Sequence, residues 1–293
     1  MIKIGICGAN GQLGQSLIYS LQNKSMNFKS WNSKDLDITN IKQIDSEIKN
    51  SNINVLVNCA SWTNVDLAES NYNRVIEVNA QGPKNLALIA KKMDITFLTI
   101  SSDYVFSGNQ TFPISIDSPT NPISVYGRSK AMGEENVLEA YPSNSYVVRT
   151  SWLFSRFGEN FAKKIIRLAS ESEKELNVVS DQYGQPTNAI DLSNRLIEIL
   201  QNSLPAGIYH VTNSGETSWF EYAQHILDLI GYNKNKIRPI LTDQYFTLAR
   251  RPRYSVLENN NLQLFGMSPM RDWTSALQEE IPQILKFLNL KSN

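Results

Sequence analysis

Tyr126 and Lys130 stand four residues apart in Ser124-Val125-Tyr126-Gly127-Arg128-Ser129-Lys130, a spacing that puts both on one face of a helix. A free phenol has a pKa of about 10, too high for ready proton exchange at neutral pH. A lysine ammonium beside it, with the positive charge of an oxidised nicotinamide ring, favours the phenolate. Such a pair is a general acid for reducing a carbonyl, or a general base for oxidising an alcohol. Tyr-x-x-x-Lys also arises by accident, with the tyrosine in the core and the lysine in solvent. A second motif argues against accident. Gly8, Gly11 and Gly14 follow an apolar run and open a helical pattern. Glycines at that spacing let the backbone turn tightly and approach a pyrophosphate, while the helix N-terminus offers N–H groups and partial positive charge. Asn10, Gln12 and Leu13 share this loop. A dinucleotide beside a tyrosine acid–base pair points to hydride transfer at a carbonyl or alcohol carbon.

Two further polar runs follow apolar strands. In Asn58-Cys59-Ala60-Ser61-Trp62-Thr63 the small residues leave room for a ligand, with Ala60, Trp62 and Thr63 as cofactor contacts. In Ser101-Ser102-Asp103-Tyr104-Val105-Phe106, Ser102 can hydrogen-bond a substrate oxygen. Asp103 either assists proton movement, binds a sugar hydroxyl or caps a turn. An acid for the adenosine ribose is due about 20 residues after the glycine loop. The end of the second strand carries Ser33 and Lys34 instead. Both suit a 2′-phosphate, so NADPH is favoured over NADH, which also fits. Asp37, a few residues on, is placed to meet the adenine edge.

These residues need a frame. Ile2–Cys7, Asn54–Asn58, Thr96–Ser101 and Tyr146–Arg149 read as strands, several nearly all apolar, as strands buried on both faces must be. Leu13, Leu17, Ile18 and Leu21 recur at helical spacing, as do Leu86, Ile89 and Ala90 within Pro83–Met93. Alternating strands and helices predict an α/β fold, a Rossmann doubly wound parallel sheet. After Thr150 the pattern changes, and helices are expected over Phe161–Ala169, Ile190–Leu200, Trp219–Ile230 and Ser275–Phe287. Residues 1–151 and 188–208 are assigned to the dinucleotide-binding domain, and 152–187 and 209–293 to a smaller C-terminal substrate-binding lobe.

Composition narrows the function classes. With 293 residues, 41% of them hydrophobic, the chain can bury a large core. Lys+Arg 28 balances Asp+Glu 28, which offers no footprint for nucleic acid or an anionic membrane. The N-terminal apolar run is too short for a signal segment, and no run approaches membrane-spanning length. Cys7 and Cys59 read as reduced core residues, so a cytoplasmic location is expected. With His210 and His225 as the only histidines, no metal site is expected.

Taken together, Gly8-Ala9-Asn10-Gly11-Gln12-Leu13-Gly14, Ser102-Asp103-Tyr104-Val105-Phe106, Tyr126-Gly127-Arg128-Ser129-Lys130 and Arg149-Thr150-Ser151-Trp152 resemble the extended short-chain dehydrogenase/reductases. Val65-Asp66-Leu67-Ala68-Glu69, Asn160-Phe161, Asp181-Gln182-Tyr183-Gly184-Gln185-Pro186-Thr187 and Arg251-Pro252 make the chain most similar to the dTDP-4-dehydrorhamnose reductase branch. The resemblance implies hydride delivery from NADPH or NADH to C4 of dTDP-4-dehydro-β-L-rhamnose, giving dTDP-L-rhamnose. It implies Ser102, Tyr126 and Lys130 as the catalytic triad, with Asp103 and Tyr104 beside the substrate. Trp152 would pack on the sugar, and Asn160, Thr187 and Arg251 would line the sugar-nucleotide side. The family often has threonine at the position of Ser102, which keeps the hydroxyl. Some members carry a glutamate after the third glycine that helps bind a divalent ion between subunits. Here Gln15 and Ser16 follow, so a homodimer is compatible with the chain but the metal-bridged form is not expected. A sugar-nucleotide dehydratase needs a glutamate after Asp103, where this chain has Tyr104. A 4-ketoreductase or epimerase of another nucleotide sugar, and a non-catalytic NADP-binding regulatory subunit, remain as alternatives.

Overall fold

The computed structural model describes residues 2–171 and 175–290. Its centre is a sheet of β1 (Lys3–Cys7), β2 (Asn27–Trp31), β3 (Val55–Asn58), β4 (Thr96–Ser102), β5 (Ser145–Thr150) and a sixth strand, Gly207–His210. The spatial order is β2, β1, β3, β4, β5 and Gly207–His210, and every neighbouring pair is parallel. Side chains alternate between the two faces of a strand, so runs that are apolar throughout supply both cores. Ile4, Ile6, Val57, Leu98 and Val148 pack on one face against Leu13, Leu17 and Leu21 of helix Gln12–Asn23 and Leu192 and Leu196 of helix Ala189–Gln201. Leu56, Phe97 and Val147 pack on the other against Ile44, Leu86, Ile89 and Val137. The Rossmann expectation holds in this architecture.

From β1 the chain passes outward to β2, then returns to place β3 on the other side of β1. That reversal opens a crevice beyond the C-terminal ends of β1 and β3, the place where doubly wound sheets bind ligands. A second core joins helices Phe161–Glu171, Trp219–Leu229 and Trp273–Phe287 through Ile165, Ile166, Tyr222, Ile226, Trp273 and Ile281. The chain crosses between these bodies more than once. After Leu153-Phe154 pairs with Thr187-Asn188, helix Ala189–Gln201 runs back along the sheet.

One stretch departs from the expected pattern. Between β3 and helix Gly82–Lys92 lie a short helix, Val65–Ser70, a second, Tyr72–Ile76, and a wide π-helical turn, Glu77–Gln81. Single π-helical turns of this kind are frequent at functional sites. This one aims Asn79 inward.

Candidate active site

The glycine loop is pressed between two elements. Gly8 adopts φ +81°, and a Cβ there would sit 2.5 Å from the Ala60 backbone nitrogen at the end of β3. A Cβ on Gly14 would sit 2.2 Å from the Gly8 carbonyl oxygen. Side chains are excluded at both, so the loop lies flat against the helix it opens. Gly11 caps that helix without any side-chain hydrogen bond, and no acid occupies its first turn. The first-turn N–H groups therefore lack a side-chain acceptor, and the residues fit a bound pyrophosphate.

A cleft of about 1620 Å³, partly open to solvent, runs from this loop across the sheet; Asn10, Gln12, Leu13, Ala60 and Thr63 line it near the loop. Ser33 and Lys34 are exposed just past β2. Asp37 accepts hydrogen bonds from Thr39 N (2.9 Å) and Thr39 Oγ1 (2.8 Å). The Thr39 N–H is the main reason its carboxyl lies below the usual range. Trp62 stands behind the cleft wall. Its indole donates to the Asn64 carbonyl at 2.9 Å, and it packs with Tyr126 against Ala68, Val75 and Val125.

Tyr126 sits in the first turn of helix Val125–Ala140, whose N-cap Ser124 accepts from Gly127 N at 3.1 Å. Lys130 follows one turn later, buried, its ammonium donating to the Ile100 carbonyl at 2.6 Å. Burial pulls Lys130 down to about 8, with Glu134 opposing. Burial likewise pushes Tyr126 up to about 12, the Ser102 hydroxyl opposing and Asp103 reinforcing. Tyr126 therefore holds its proton through the neutral range. Tyr104 meets its ring edge-on at 5.6 Å.

Ser102 Oγ donates to Asp103 Oδ1 at 2.9 Å and accepts from Tyr104 N at 3.2 Å. Burial pushes Asp103 up to about 6, against the hydroxyls of Ser255 and Ser102. Ser255 is near enough to favour the charged form, yet no hydrogen bond of normal geometry reaches Asp103 Oδ2. A serine has one hydroxyl proton. While Asp103 is ionised that proton is committed to it; once Asp103 is protonated, its own O–H can donate to Ser102 and release the serine proton to a substrate oxygen. Because the shift is upward, the acid form of Asp103 fills as pH falls through about 6. We therefore expect kcat/KM for reduction to rise across that interval. A pH–rate profile checks this, and Asp103→Asn, whose amide donates at all pH values, should flatten it.

The residues, the cleft and the fold point one way. The model of the RmlD substrate binding domain family matches residues 2–285. The chain belongs to that family. It is 39% identical to a dTDP-4-dehydrorhamnose reductase of Streptomyces griseus, over 95% of this chain and 93% of the relative. It is 34% identical to a dTDP-4-keto-6-deoxy-D-glucose reductase of Streptomyces niveus, over 94% and 96%. The crystal structure of a Bacillus anthracis dTDP-4-dehydrorhamnose reductase in complex with NADP superposes with a TM-score of 0.92, at 35% identity, covering 97% of this chain and all of that one.

Within this member of the RmlD family the expected substrate-side residues divide. Trp152 lines the cleft in a left-handed backbone conformation, φ +46°, which costs a non-glycine residue about 1–3 kcal/mol. Its indole stacks on Trp219, centroids 3.4 Å apart and planes 7° from parallel. Arg251 borders an adjoining pocket of about 950 Å³ with Gln182, Trp219 and Tyr245. Asn160 donates to Gln12 Oε1 at 3.1 Å, tying the second lobe to the glycine loop. Thr187 lies off the cleft wall, fully buried, its hydroxyl 3.3 Å from the Gln185 carbonyl. Two residues escaped the sequence reading. Trp219 lines both the cleft and the pocket. Asn79 accepts from Trp62 N at 2.7 Å and donates to Ser129 Oγ at 2.9 Å, locking the loop after β3 to the helix of Tyr126. Neither stands at a spacing that marks a site. Among the described residues no group of three or more His, Cys, Asp or Glu side chains could hold a metal ion. No helix among them is long and apolar enough to cross a membrane.

Proposed function

We propose that the protein reduces the C4 keto group of dTDP-4-dehydro-β-L-rhamnose to dTDP-L-rhamnose, using NADPH, with NADH as a usable substitute. The observation that carries this reading is the convergence of Ser102, Tyr126 and Lys130 on one cleft with the glycine cradle. The printed activities of the relatives support it, since both Streptomyces proteins are named as reductases of dTDP-linked keto sugars. When bound, the nicotinamide supplies the hydride. Tyr126 donates its phenolic proton to the carbonyl oxygen, which becomes the C4 hydroxyl. Ser102 hydrogen-bonds the same oxygen. The buried ammonium of Lys130, one helical turn along, stabilises the phenolate left behind.

Trp152 and Trp219 offer the sugar a rigid flat wall. The pocket beyond Trp219 has the size of a small-molecule site, and it receives the nucleoside. Arg251 suits the diphosphate, because a guanidinium carries five N–H donors in a planar fork. Ser33 and Lys34 take the 2′-phosphate that distinguishes NADPH. A cytoplasmic setting fits the two free thiols, Cys7 and Cys59.

The test follows NADPH absorbance with purified protein and dTDP-4-dehydro-β-L-rhamnose, with NADH in parallel and the product identified by mass and NMR. Rapid oxidation with dTDP-L-rhamnose as product is expected. Turnover with a 4-keto-6-deoxyglucose nucleotide alone would reassign the sugar. Cofactor binding without turnover on either would overturn the catalytic reading.

A further inference from the structure

The short helix Val65–Ser70 sets Val65 on the cleft wall and carries two carboxylates pointing to different bodies. Asp66 accepts from Arg251 Nη2 at 2.7 Å and Nη1 at 3.2 Å, and from Ala249 N at 3.0 Å. Arg251 Nη1 also donates to the Ala249 carbonyl at 3.0 Å, so the loop closes on itself around this carboxylate. Arg251 borders the pocket beyond Trp219. Asp66 therefore engages only part of a five-donor guanidinium and fixes where the remaining N–H groups point. One turn later, Glu69 Oε1 accepts from Val125 N at 2.8 Å. Val125 opens the helix that carries Tyr126 and Lys130. A carboxylate there satisfies an orphan helix N–H and complements the helix dipole. Between the two carboxylates, Ala68 packs under Val125 with Tyr126 against the same cluster.

We propose that helix Val65–Ser70 is a two-ended strut: Asp66 positions the Arg251 loop for the sugar nucleotide, and Glu69 positions the N-terminal turn that aims Tyr126. Both are positioning residues, and their effects separate. Asp66 acts on nucleotide binding, because a pre-set guanidinium avoids the cost of ordering the loop on contact. Glu69 acts on turnover, because a small misplacement of the proton donor slows the chemical step without altering the nucleotide pocket. The Val-Asp-Leu-Ala-Glu spacing supplies this directly: residues three apart on a helix share a side but reach to different depths along it.

The proposal rests on the reductase reading for its kinetic arm, so two arms are independent of turnover. Asp66→Ala is expected to raise both KM for the sugar nucleotide and Kd for dTDP about tenfold, with kcat within about twofold. Glu69→Ala is expected to lower kcat about tenfold, with dTDP Kd within about twofold. Glu69→Gln should restore most of kcat, since its amide oxygen still accepts from Val125 N. Hydrogen exchange at the amides of Val125 to Lys130 should quicken in Glu69→Ala and not in Asp66→Ala. Inactivity of the unaltered protein would count against the reductase reading alone. Unchanged or tighter dTDP binding in Asp66→Ala, or unchanged exchange in Glu69→Ala, overturns the strut, as do equal kinetic losses at both positions.

Discussion

Tyr126→Phe is expected to lower kcat about a thousandfold, the range for removing a positioned general acid. KM for the sugar nucleotide and the affinity for NADPH should each stay within about threefold. The substitution removes one hydroxyl and nothing else of consequence. The ring is held by Trp62, Ala68, Val75 and Val125, and Tyr104 meets it edge-on, contacts that phenylalanine keeps. The helix cap, Ser124 to Gly127, does not involve the phenol. What disappears is the proton source. Because burial holds the phenol up at about 12, the unaltered enzyme keeps Tyr126 protonated through the neutral range, and the variant has no replacement of comparable reach. Asp103 is turned to Ser102, and the Lys130 ammonium to the Ile100 carbonyl. Steady-state kinetics with NADPH titrated separately distinguishes loss of chemistry from loss of binding. A variant retaining kcat within tenfold would place the acid elsewhere.

The frame around this chemistry was legible because its signals are local. Apolar runs announced β1, β3, β4 and β5, and apolar residues at helical spacing announced the helices beside them. Gly8, Gly11 and Gly14, and Tyr126 with Lys130, each form a motif within a few residues, so spacing alone assembled half of the cleft. The sixth strand, Gly207–His210, was missed since Gly-Ile-Tyr-His has neither a long apolar run nor alternation. Pairing across the chain is a different matter. Arg251 meets Asp66 across 185 residues, and nothing in either segment names the other. Trp219 reads as the start of an amphipathic helix until it is found stacked on Trp152. Spacing reveals the lysine beside Tyr126 but not the depth of burial, which is the largest cause of the upward shift of its phenol.

Burial also decides the second large effect. Arg149 at the end of β5 and Glu134 in the Tyr126 helix are 3% and 4% exposed. They are joined by Nε to Oε1 at 2.9 Å and Nη2 to Oε2 at 2.7 Å. The remaining guanidinium nitrogen donates to the Ile116 carbonyl at 3.3 Å, and the plane lies over Phe106 at 4.9 Å. His210 approaches at 3.4 Å; burial first, and then the Arg149 charge, press it down to about 3, so it stays neutral and does not repel the arginine. The pair bolts the helix of Tyr126 and Lys130 to the sheet beside Ser102, because Arg149 is in register with Ser101 and Thr150 with Ser102. Removing one partner leaves the other charge dehydrated and unpaired. Arg149→Met and Glu134→Leu are each expected to lower unfolding free energy by about 3–5 kcal/mol. The double variant, with neither charge of the pair left, should recover most of that loss, since apolar replacement of a whole buried pair is often neutral. Urea denaturation of all four proteins measures the cycle. Losses that simply add in the double variant would show that the two residues act through separate neighbours and not through one another.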